Sequence, residues 1–210
     1  MSSSLAADAR LAAVAATQAG VFARAQATAA GFSAAQIERR VRAGVWHRMF
    51  HAVYRHAGTP GSVGARQWGA ILWAGQGSVL SHTSAAAIWR IPVVPGLAPE
   101  VLVTATRAPR VAGVTVHRVT RLRAVDVVRV QGLPVTVPVR TLVDLAAVLA
   151  ADDLRAALEH AFARDLVTVR AVVTGLDEMG SAGRPGAARL RVLLAAFGSG
   201  VVRPSARMAG

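Results

Sequence analysis

The spacing of apolar and polar residues predicts a short helix within residues 33–43. Three apolar residues fall at positions i, i+3 and i+7, which places them along one side of a helix: Ala34, Ile37 and Val41. Ser33 comes just before this stretch and Gln36 follows three residues later, which is the spacing of a capping box. Gly44 stands where a glycine commonly ends a helix. The remaining positions of this helix are largely polar.

From residue 45 the alternation has a period of two, which predicts a β-strand. Trp46, Arg48 and Phe50 would lie on one side of this strand, and Val45, His47 and Met49 on the other. Residues 53–55 form a second extended segment. A polar-faced helix followed by a basic β-hairpin is typical of a winged helix-turn-helix, in which the helix enters the major groove and the wing lies along the backbone.

Two earlier segments complete this predicted unit, which spans residues 1–58. Residues 5–18 have a helical pattern that Gly20 ends, and residues 24–30 form a shorter helix that Gly31 ends. The predicted core is small and rich in alanine. Its larger members are Leu11, Val14, Phe22, Ile37, Val41, Val53 and Tyr54.

Residues 58–62 are rich in glycine and proline and mark the predicted domain boundary. Beyond them, residues 62–197 alternate helical and extended patterns, which predicts a mixed α/β domain. Helices are predicted at 62–74, 81–89, 138–149, 153–164, from 168 and around 190–197, and strands at 79–80, 100–105, 113–119, 127–130 and 133–136. Residues 198–210 read as a disordered tail. The predicted class is α+β: a winged helix-turn-helix followed by a mixed α/β domain.

The charge of the chain favours a polyanionic partner. The formal net charge is +13, which comes from 24 arginines without any lysine. Because 45 alanines accompany them, part of this count reflects coding bias, and the distribution of charge is the better guide. Residues 20–58 contain six arginines, three histidines and a single acid, Glu38. Double-stranded DNA is therefore the predicted partner, although an ordinary solvated basic helix face remains the alternative.

The predicted DNA-binding residues divide by role. Gln36, Arg39 and Arg40 would approach base edges from the helix, with Ser33 at its start. Arg42, Arg48, His51 and Arg55 would hold phosphates.

Several other classes of protein are not favoured. The chain has no cysteine, so it offers no disulfide framework and no thiolate nucleophile or metal ligand. No apolar run approaches the roughly 20 residues of a membrane span. The N-terminus lacks the basic start of a signal peptide and contains Asp8 within its apolar part, so a cytoplasmic protein is expected. Neither a metal nor a cofactor is predicted.

Candidate chemistry elsewhere has simple structural explanations. Ser81 and His82 with a distant acid suggest a catalytic triad, but adjacent side chains rarely point at each other and no nucleophile elbow is present. We expect Ser81 or Thr83 to cap a helix while His82 bonds a backbone group, and we predict no catalytic residue. Arg140 and Asp144 are four residues apart, which predicts an intrahelical ion pair.

Residues 107–123 contain five arginines and one histidine but no acid. They form either a second phosphate-contacting surface, a face for an acidic partner, or a plain solvated face of a sheet.

Taken in order, several short motifs resemble the AbiEi-like antitoxins of type IV toxin–antitoxin systems, in their actinobacterial form. These motifs are Gly20-Val21-Phe22, Gly31-Phe32-Ser33, Ile37-Glu38-Arg39-Arg40-Val41, His47-Arg48, Val53-Tyr54, Leu80-Ser81-His82-Thr83-Ser84, Pro134-Val135-Thr136, Arg140-Thr141-Leu142, Asp144-Leu145-Ala146 and Arg184-Pro185-Gly186. The resemblance covers about residues 11–194. It implies an N-terminal winged helix that binds its own promoter, and a second domain that counters a nucleotidyltransferase-like toxin.

The resemblance leaves rival functions open. Similar chains often continue into a nuclease-like domain, but no acid follows Arg184 here, and a metal-dependent nuclease needs several carboxylates. Ala23, Ala52 and Val137 stand where the family usually has Thr, Gly and Ser. The first hypothesis is a DNA-binding antitoxin that regulates its own transcription. The alternatives are a protein-interaction module and a truncated, inactive remnant of a nuclease fusion.

Overall fold

The computed structural model describes residues 2–94, 96, 98–104, 111–180 and 184–199. Within these residues the protein is α+β, as the sequence predicts, with nine α-helices and two β-sheets. The elements are α1 Ser2–Ala16, β1 Val21–Ala23, α2 Arg24–Ala30, α3 Ala34–Arg42, β2 Trp46–Phe50, β3 Val53–His56, α4 Val63–Ala74, β4 Val79–Leu80, α5 His82–Ile88, β5 Glu100–Val103, β6 Thr115–Arg118, a 3₁₀ helix Ala124–Asp126, β7 Val127–Val130, β8 Leu133–Thr136, α6 Pro138–Leu145, α7 Ala151–Ala163, α8 Val169–Glu178 and α9 Ala187–Gly198.

The contacts between residues divide the chain into two compact units. The first comprises Met1–Val79, Val101–Thr120 and Arg129–Pro134, and the second comprises Leu80–Glu100, Arg121–Val128 and Val135–Gly210. The predicted boundary at residues 58–62 falls inside the first unit.

A three-stranded antiparallel sheet with the order β1-β3-β2 organises the N-terminal part of the first unit. One face of this sheet packs against α1, α2 and α3. Phe22 and Trp46 meet edge to face there, with ring centroids 4.8 Å apart, and Tyr54 is fully buried beside them. Leu11 of α1 and Ile37 of α3 pack into the same core. Trp46 and Phe32 belong to the core although the sequence analysis did not place them there.

Helix α4 covers the opposite face of the same sheet. Val21, Val53 and Ala65 are buried between them, and Met49, Phe50 and Trp68 pack around this cluster. The closest approach is at Gly69, where an added Cβ would lie 3.1 Å from both Met49 Cε and Phe50 Cε2.

The second sheet has the strand order β6-β5-β4-β8-β7. Strand β4 runs parallel to β8, with Leu80 opposite Val135. The predicted strands at 127–130 and 133–136 are confirmed as β7 and β8, whereas the 3₁₀ helix before them was not predicted.

The second unit contains a helical core built around α6. Pro138 is the first residue of this helix, as predicted, and α5, α7 and α8 pack against it. The core includes Leu142, Leu145, Leu158 and Leu190.

The glycine before α9 allows a close approach of two backbones. Gly186 has φ +76°, and a Cβ there would overlap the carbonyl oxygen of Ala146. Any residue with a Cβ would therefore clash at the last position of the Arg184-Pro185-Gly186 motif, where glycine fits.

Helix boundaries depart from prediction by a few residues at the termini of the chain. α1 begins at Ser2 rather than near residue 5, and α9 continues through Gly198, the first residue of the predicted tail. Residues 200–210 of that tail lie outside the described residues, as does residue 105 at the end of the predicted strand 100–105. Among the described residues, no helix has the length and apolar character that crossing a membrane requires.

Candidate nucleic-acid interface

The start of α3 is fixed by the predicted capping box. The Ser33 hydroxyl accepts a hydrogen bond from the Gln36 backbone N–H at 3.3 Å, and Gln36 Oε1 accepts from the Ser33 N–H at 2.7 Å. Both donors would otherwise be unpaired at the helix N-terminus. Ser33 and Gln36, both predicted to bind DNA, therefore also cap the N-terminus of α3. The side-chain amide nitrogen of Gln36 takes no part in this cap.

The outer side of α3 presents two arginines to solvent. Ile37 is fully buried and Val41 is half-buried, so the apolar stripe faces the core as predicted. Arg39 and Arg42 are exposed on the other side. Neither guanidinium makes a hydrogen bond or ion pair with any other residue that the structure describes. Two unpaired cations on one exposed helix face make this surface electropositive.

Arg40 is not on this exposed side, contrary to its predicted place among the base-contacting residues. Its Nη2 lies 2.8 Å from Asp8 Oδ2 of α1. Its guanidinium carbon lies 4.8 Å from the ring centroid of Phe32 and 5.3 Å from that of Trp46. The ion pair and the cation–π contacts hold α3 against α1 and the aromatic core. Arg40 therefore has a structural position.

The hairpin places its two arginines on opposite faces of the sheet. Arg48 is paired with Tyr54, on the face that carries the aromatic core, and its guanidinium lies 5.7 Å from the Tyr54 ring centroid. Arg55 is paired with Val21 and His47, on the face that α4 covers. Residues opposite each other in neighbouring strands share a face, and successive residues alternate between faces. The register thus separates two arginines that the sequence analysis assigned to one phosphate-binding surface.

A β-bulge explains why the predicted alternation fails at the end of β2. Arg48 is opposite Tyr54, but the next pair is Phe50 with Val53, so Met49 is an extra residue. The bulge turns Phe50 away from the side of Trp46 and Arg48 and towards α4. His51 follows in the turn, where it is exposed, and Ala52 adopts a left-handed backbone with φ +56°.

The single acid of this region has a role that the sequence did not reveal. Glu38 lies on α3 and pairs with Arg24 Nη1 at 3.2 Å and with Arg48 Nη2 at 3.1 Å. Helices α2 and α3 and strand β2 thus contribute one charged group each to a single cluster. Its three members are far apart in sequence, so only the fold brings them together.

His56, at the end of β3, is a half-buried histidine that packs against the aromatic core. The His56 ring centroid is 5.1 Å from that of Phe22, and its Nε2 is buried without a hydrogen-bond partner among the described residues. Burial lowers the pKa of His56, and the positive charge of Arg40 lowers it further, while Asp8 acts in the opposite direction. The neutral imidazole is therefore the form that the aromatic core accommodates.

In the second unit, the residues considered for a catalytic triad form a buried polar cluster at the start of α5. Contrary to expectation, the adjacent side chains do meet, because Ser81 Oγ and His82 Nδ1 are 2.9 Å apart. Ser81 makes no side-chain cap. The Glu100 carboxylate bonds the Thr83 hydroxyl and also accepts from the Thr83 backbone N–H at 3.2 Å. Because Ser81, His82, Thr83 and Glu100 are all buried, these contacts organise the helix end.

The predicted intrahelical ion pair of α6 is confirmed. Arg140 Nε lies 2.9 Å from Asp144 Oδ2, and both side chains are almost fully buried. Asp126, from the unpredicted 3₁₀ helix, also contacts Arg140 and pairs with Arg123 at 2.7 Å. Burial alone would raise the pKa of Asp126, but hydrogen bonding to Arg123 and the charges of both arginines hold it below its usual value. This network joins the elements of the second unit.

The basic segment 107–123 is described only in part. Arg107 and Arg110 lie outside the described residues. In β6, Thr115 and Arg118 are exposed, while Val116 and His117 are half-buried. Arg123 at the end of the segment is committed to Asp126 and Glu178. Its hydrogen bonds to these two carboxylates raise the pKa of Arg123 above its already high usual value.

Comparison with known proteins relates the chain to a solved fold. No protein-family model matches it, and no curated protein matches it. The chain is similar to the crystal structure of the RV2827C protein from Mycobacterium tuberculosis, with a TM-score of 0.57 and 20% sequence identity. The similarity covers 91% of this chain and 77% of that chain. At this identity, the similarity concerns the fold alone.

Proposed function

We propose that this protein is a DNA-binding, antitoxin-type regulator of its own transcription, which uses a winged helix-turn-helix formed by α1 to α3 and β1 to β3. The observation that supports this most directly is the outer side of α3. It exposes Arg39 and Arg42, and neither has a partner among the described residues. Arg48 of the adjacent hairpin extends the basic surface. The antitoxin role and the nucleotidyltransferase-like toxin rest on the family resemblance of the sequence.

The proposed contacts follow from which side chains are accessible. Arg39 and Gln36 approach base edges in the major groove, where a bidentate arginine–guanine contact discriminates by about 1–3 kcal/mol. Arg42 and His51 contact phosphates, together with Arg48 at the edge of the hairpin. Arg40 holds the helix in place through Asp8 and the aromatic rings. Arg55 lies on the face that α4 covers and contributes less than Arg48.

The test is binding of the full chain to the DNA upstream of its own gene. The double variant Arg39→Ala with Arg42→Ala should lose preference for this DNA over a random duplex while it keeps the wild-type melting temperature. Its control is Arg155→Ala with Arg164→Ala, which removes two exposed arginines of the second unit. Equal and selective binding by the α3 variant and the wild type would show that α3 is not the recognition helix.

A further inference from the structure

Glu38 places a carboxylate between Arg48 of the proposed DNA-binding surface and Arg24 of the neighbouring helix α2. Its Oε1 lies 3.2 Å from Arg24 Nη1, and its Oε2 lies 3.1 Å from Arg48 Nη2. All three side chains are between 40% and 47% exposed, so the cluster is open to a competing anion. Glu38 is the one acidic residue in residues 20–58.

Glu38 forms its ion pairs with arginines of other elements and not with Arg42 of its own helix. Arg42 stands four residues further along the same helix, a spacing that favours a Glu–Arg ion pair. Within the described residues, however, Glu38 pairs with Arg24 of α2 and Arg48 of β2 instead. Two guanidinium groups that converge on one oxyanion form the arrangement in which arginines bind a phosphate.

We propose that Glu38 occupies the position of a DNA phosphate in the unbound protein and thereby determines DNA selectivity. This inference rests on the proposed DNA-binding function. Binding to random DNA depends almost entirely on phosphate contacts. For Arg24 and Arg48 to make such contacts, they must leave Glu38, and the freed carboxylate then repels the phosphate. Glu38 thus weakens binding to random DNA, whereas the base contact proposed for Arg39, which has no such acid, is unaffected and operates only at the specific site.

The first test replaces Glu38 in the full chain. Glu38→Gln should bind a random duplex about tenfold more tightly at low salt, and its salt dependence should steepen by roughly one to two units, one for each arginine released. The ratio of affinities for upstream DNA and random DNA should fall. Glu38→Ala should change affinity, salt dependence and selectivity in the same way as Glu38→Gln. The ion pairs are exposed, so the melting temperature should change by no more than a few degrees.

Glu178→Gln is the matched control. Glu178 is an exposed glutamate in an ion pair with an arginine, Arg123, but it lies on α8 of the second unit. The substitution changes the net charge equally. If Glu178→Gln tightens binding to random DNA as much as Glu38→Gln does, the effect is one of net charge and the inference is overturned.

A double-mutant cycle tests the mechanism directly. In the wild type, Arg48→Gln should weaken binding to random DNA less than Arg42→Gln does, because Glu38 already occupies Arg48. With Glu38→Gln in place, the two substitutions should weaken it equally. Weaker binding by Glu38→Gln, in a protein whose wild type binds DNA, would mean that Glu38 positions the arginines, and would overturn this inference alone. Absence of salt-dependent DNA binding by every variant and the wild type would overturn the proposed function as well.

Discussion

At the scale of single residues, Ala52 is a strained position in the β2–β3 turn. Its φ of +56° is in the left-handed region, which costs an L-amino acid with a Cβ about 1–2 kcal/mol. The turn is nevertheless held, because the Ala52 carbonyl accepts a hydrogen bond from the Arg24 N–H at 2.7 Å.

Replacing Ala52 with glycine should therefore stabilise the protein. Relief of the left-handed strain exceeds the added entropy of the unfolded chain, and we expect a gain of up to about 1 kcal/mol in the free energy of unfolding. Urea denaturation of the wild type and the variant measures this gain in the free energy of unfolding. Ala35→Gly, at an exposed position within α3, serves as the control and should destabilise by about 1 kcal/mol. Destabilisation by Ala52→Gly would show that the turn adopts another conformation in solution.

His56 should make the stability of the protein fall in mild acid. Its pKa is lowered in the folded state by burial and by Arg40, so as the pH falls below about 6.5 the unfolded chain takes up the proton first. The free energy of unfolding therefore decreases from that pH downwards. In His56→Phe, which keeps an aromatic ring beside Phe22, this part of the pH dependence should disappear.

The measurement is the difference in stability between wild type and His56→Phe at each pH from about 8 to about 5. Taking the difference cancels the titration of the groups that both proteins share. A difference that stays constant across this range would contradict the proposed cause.

How far the candidate surface could be predicted differs from residue to residue. The Ser33–Gln36 cap was predictable because it depends on neighbours three residues apart. The place of Arg40 was not, because it depends on Asp8, which is 32 residues away in sequence, and on the packing of Trp46. The local sequence of a helix does not show whether an arginine side chain stacks on the core or faces a ligand.

At the scale of elements, helices were easier to predict than the hairpin. The short helix α2 and the start of α6 agree with prediction because glycine and proline mark their ends in the sequence. The bulge in β2 has no such mark. A shift of one residue in register places a side chain on the other face of the sheet. Because of the bulge, Phe50 lies on the side of α4 and not, as predicted, on the side of Arg48.

The packing of α4 predicts where the N-terminal part of the chain can be cut. A fragment of residues 1–58 lacks this helix and would expose Val21, Val53 and Phe50 to water. Each such side chain contributes roughly 1.5–3 kcal/mol when fully buried. We therefore expect residues 1–76 to unfold cooperatively and at a distinctly higher temperature than residues 1–58. Circular dichroism melting of the two fragments compares them, and equal melting temperatures would show that α4 adds nothing to this core.

At the scale of the whole molecule, net charge alone said little about the site. The +13 charge comes from arginines spread along a chain with a biased composition, and several of them serve folding. Arg123 and Arg140 stabilise the second unit through Asp126, and Arg40 stabilises the first through Asp8. The arginines that remain unpaired on α3 are the informative ones, and only three-dimensional contacts distinguish them from the others.

The proposed regulator should repress its promoter and counter its toxin through different surfaces. The candidate DNA contacts lie on α3 and the hairpin, within residues 33–51, whereas the family resemblance assigns toxin neutralisation to the later domain. Arg39→Ala with Arg42→Ala in the full chain should therefore raise output from its own promoter, since repression needs both arginines. The same variant should still restore growth beside a neighbouring nucleotidyltransferase-like toxin, when both are expressed from a foreign promoter.

Promoter output and growth are measured in the same cells, with Arg155→Ala and Arg164→Ala as the control that should change neither. Expression from the foreign promoter keeps the amount of protein independent of its own repression, which would otherwise link the two readouts. Loss of growth rescue in the α3 variant, at an unchanged protein level, would mean that DNA binding and neutralisation share a surface. Unchanged promoter output would instead favour a protein-interaction module, in which the exposed arginines of α3 bind a partner other than DNA.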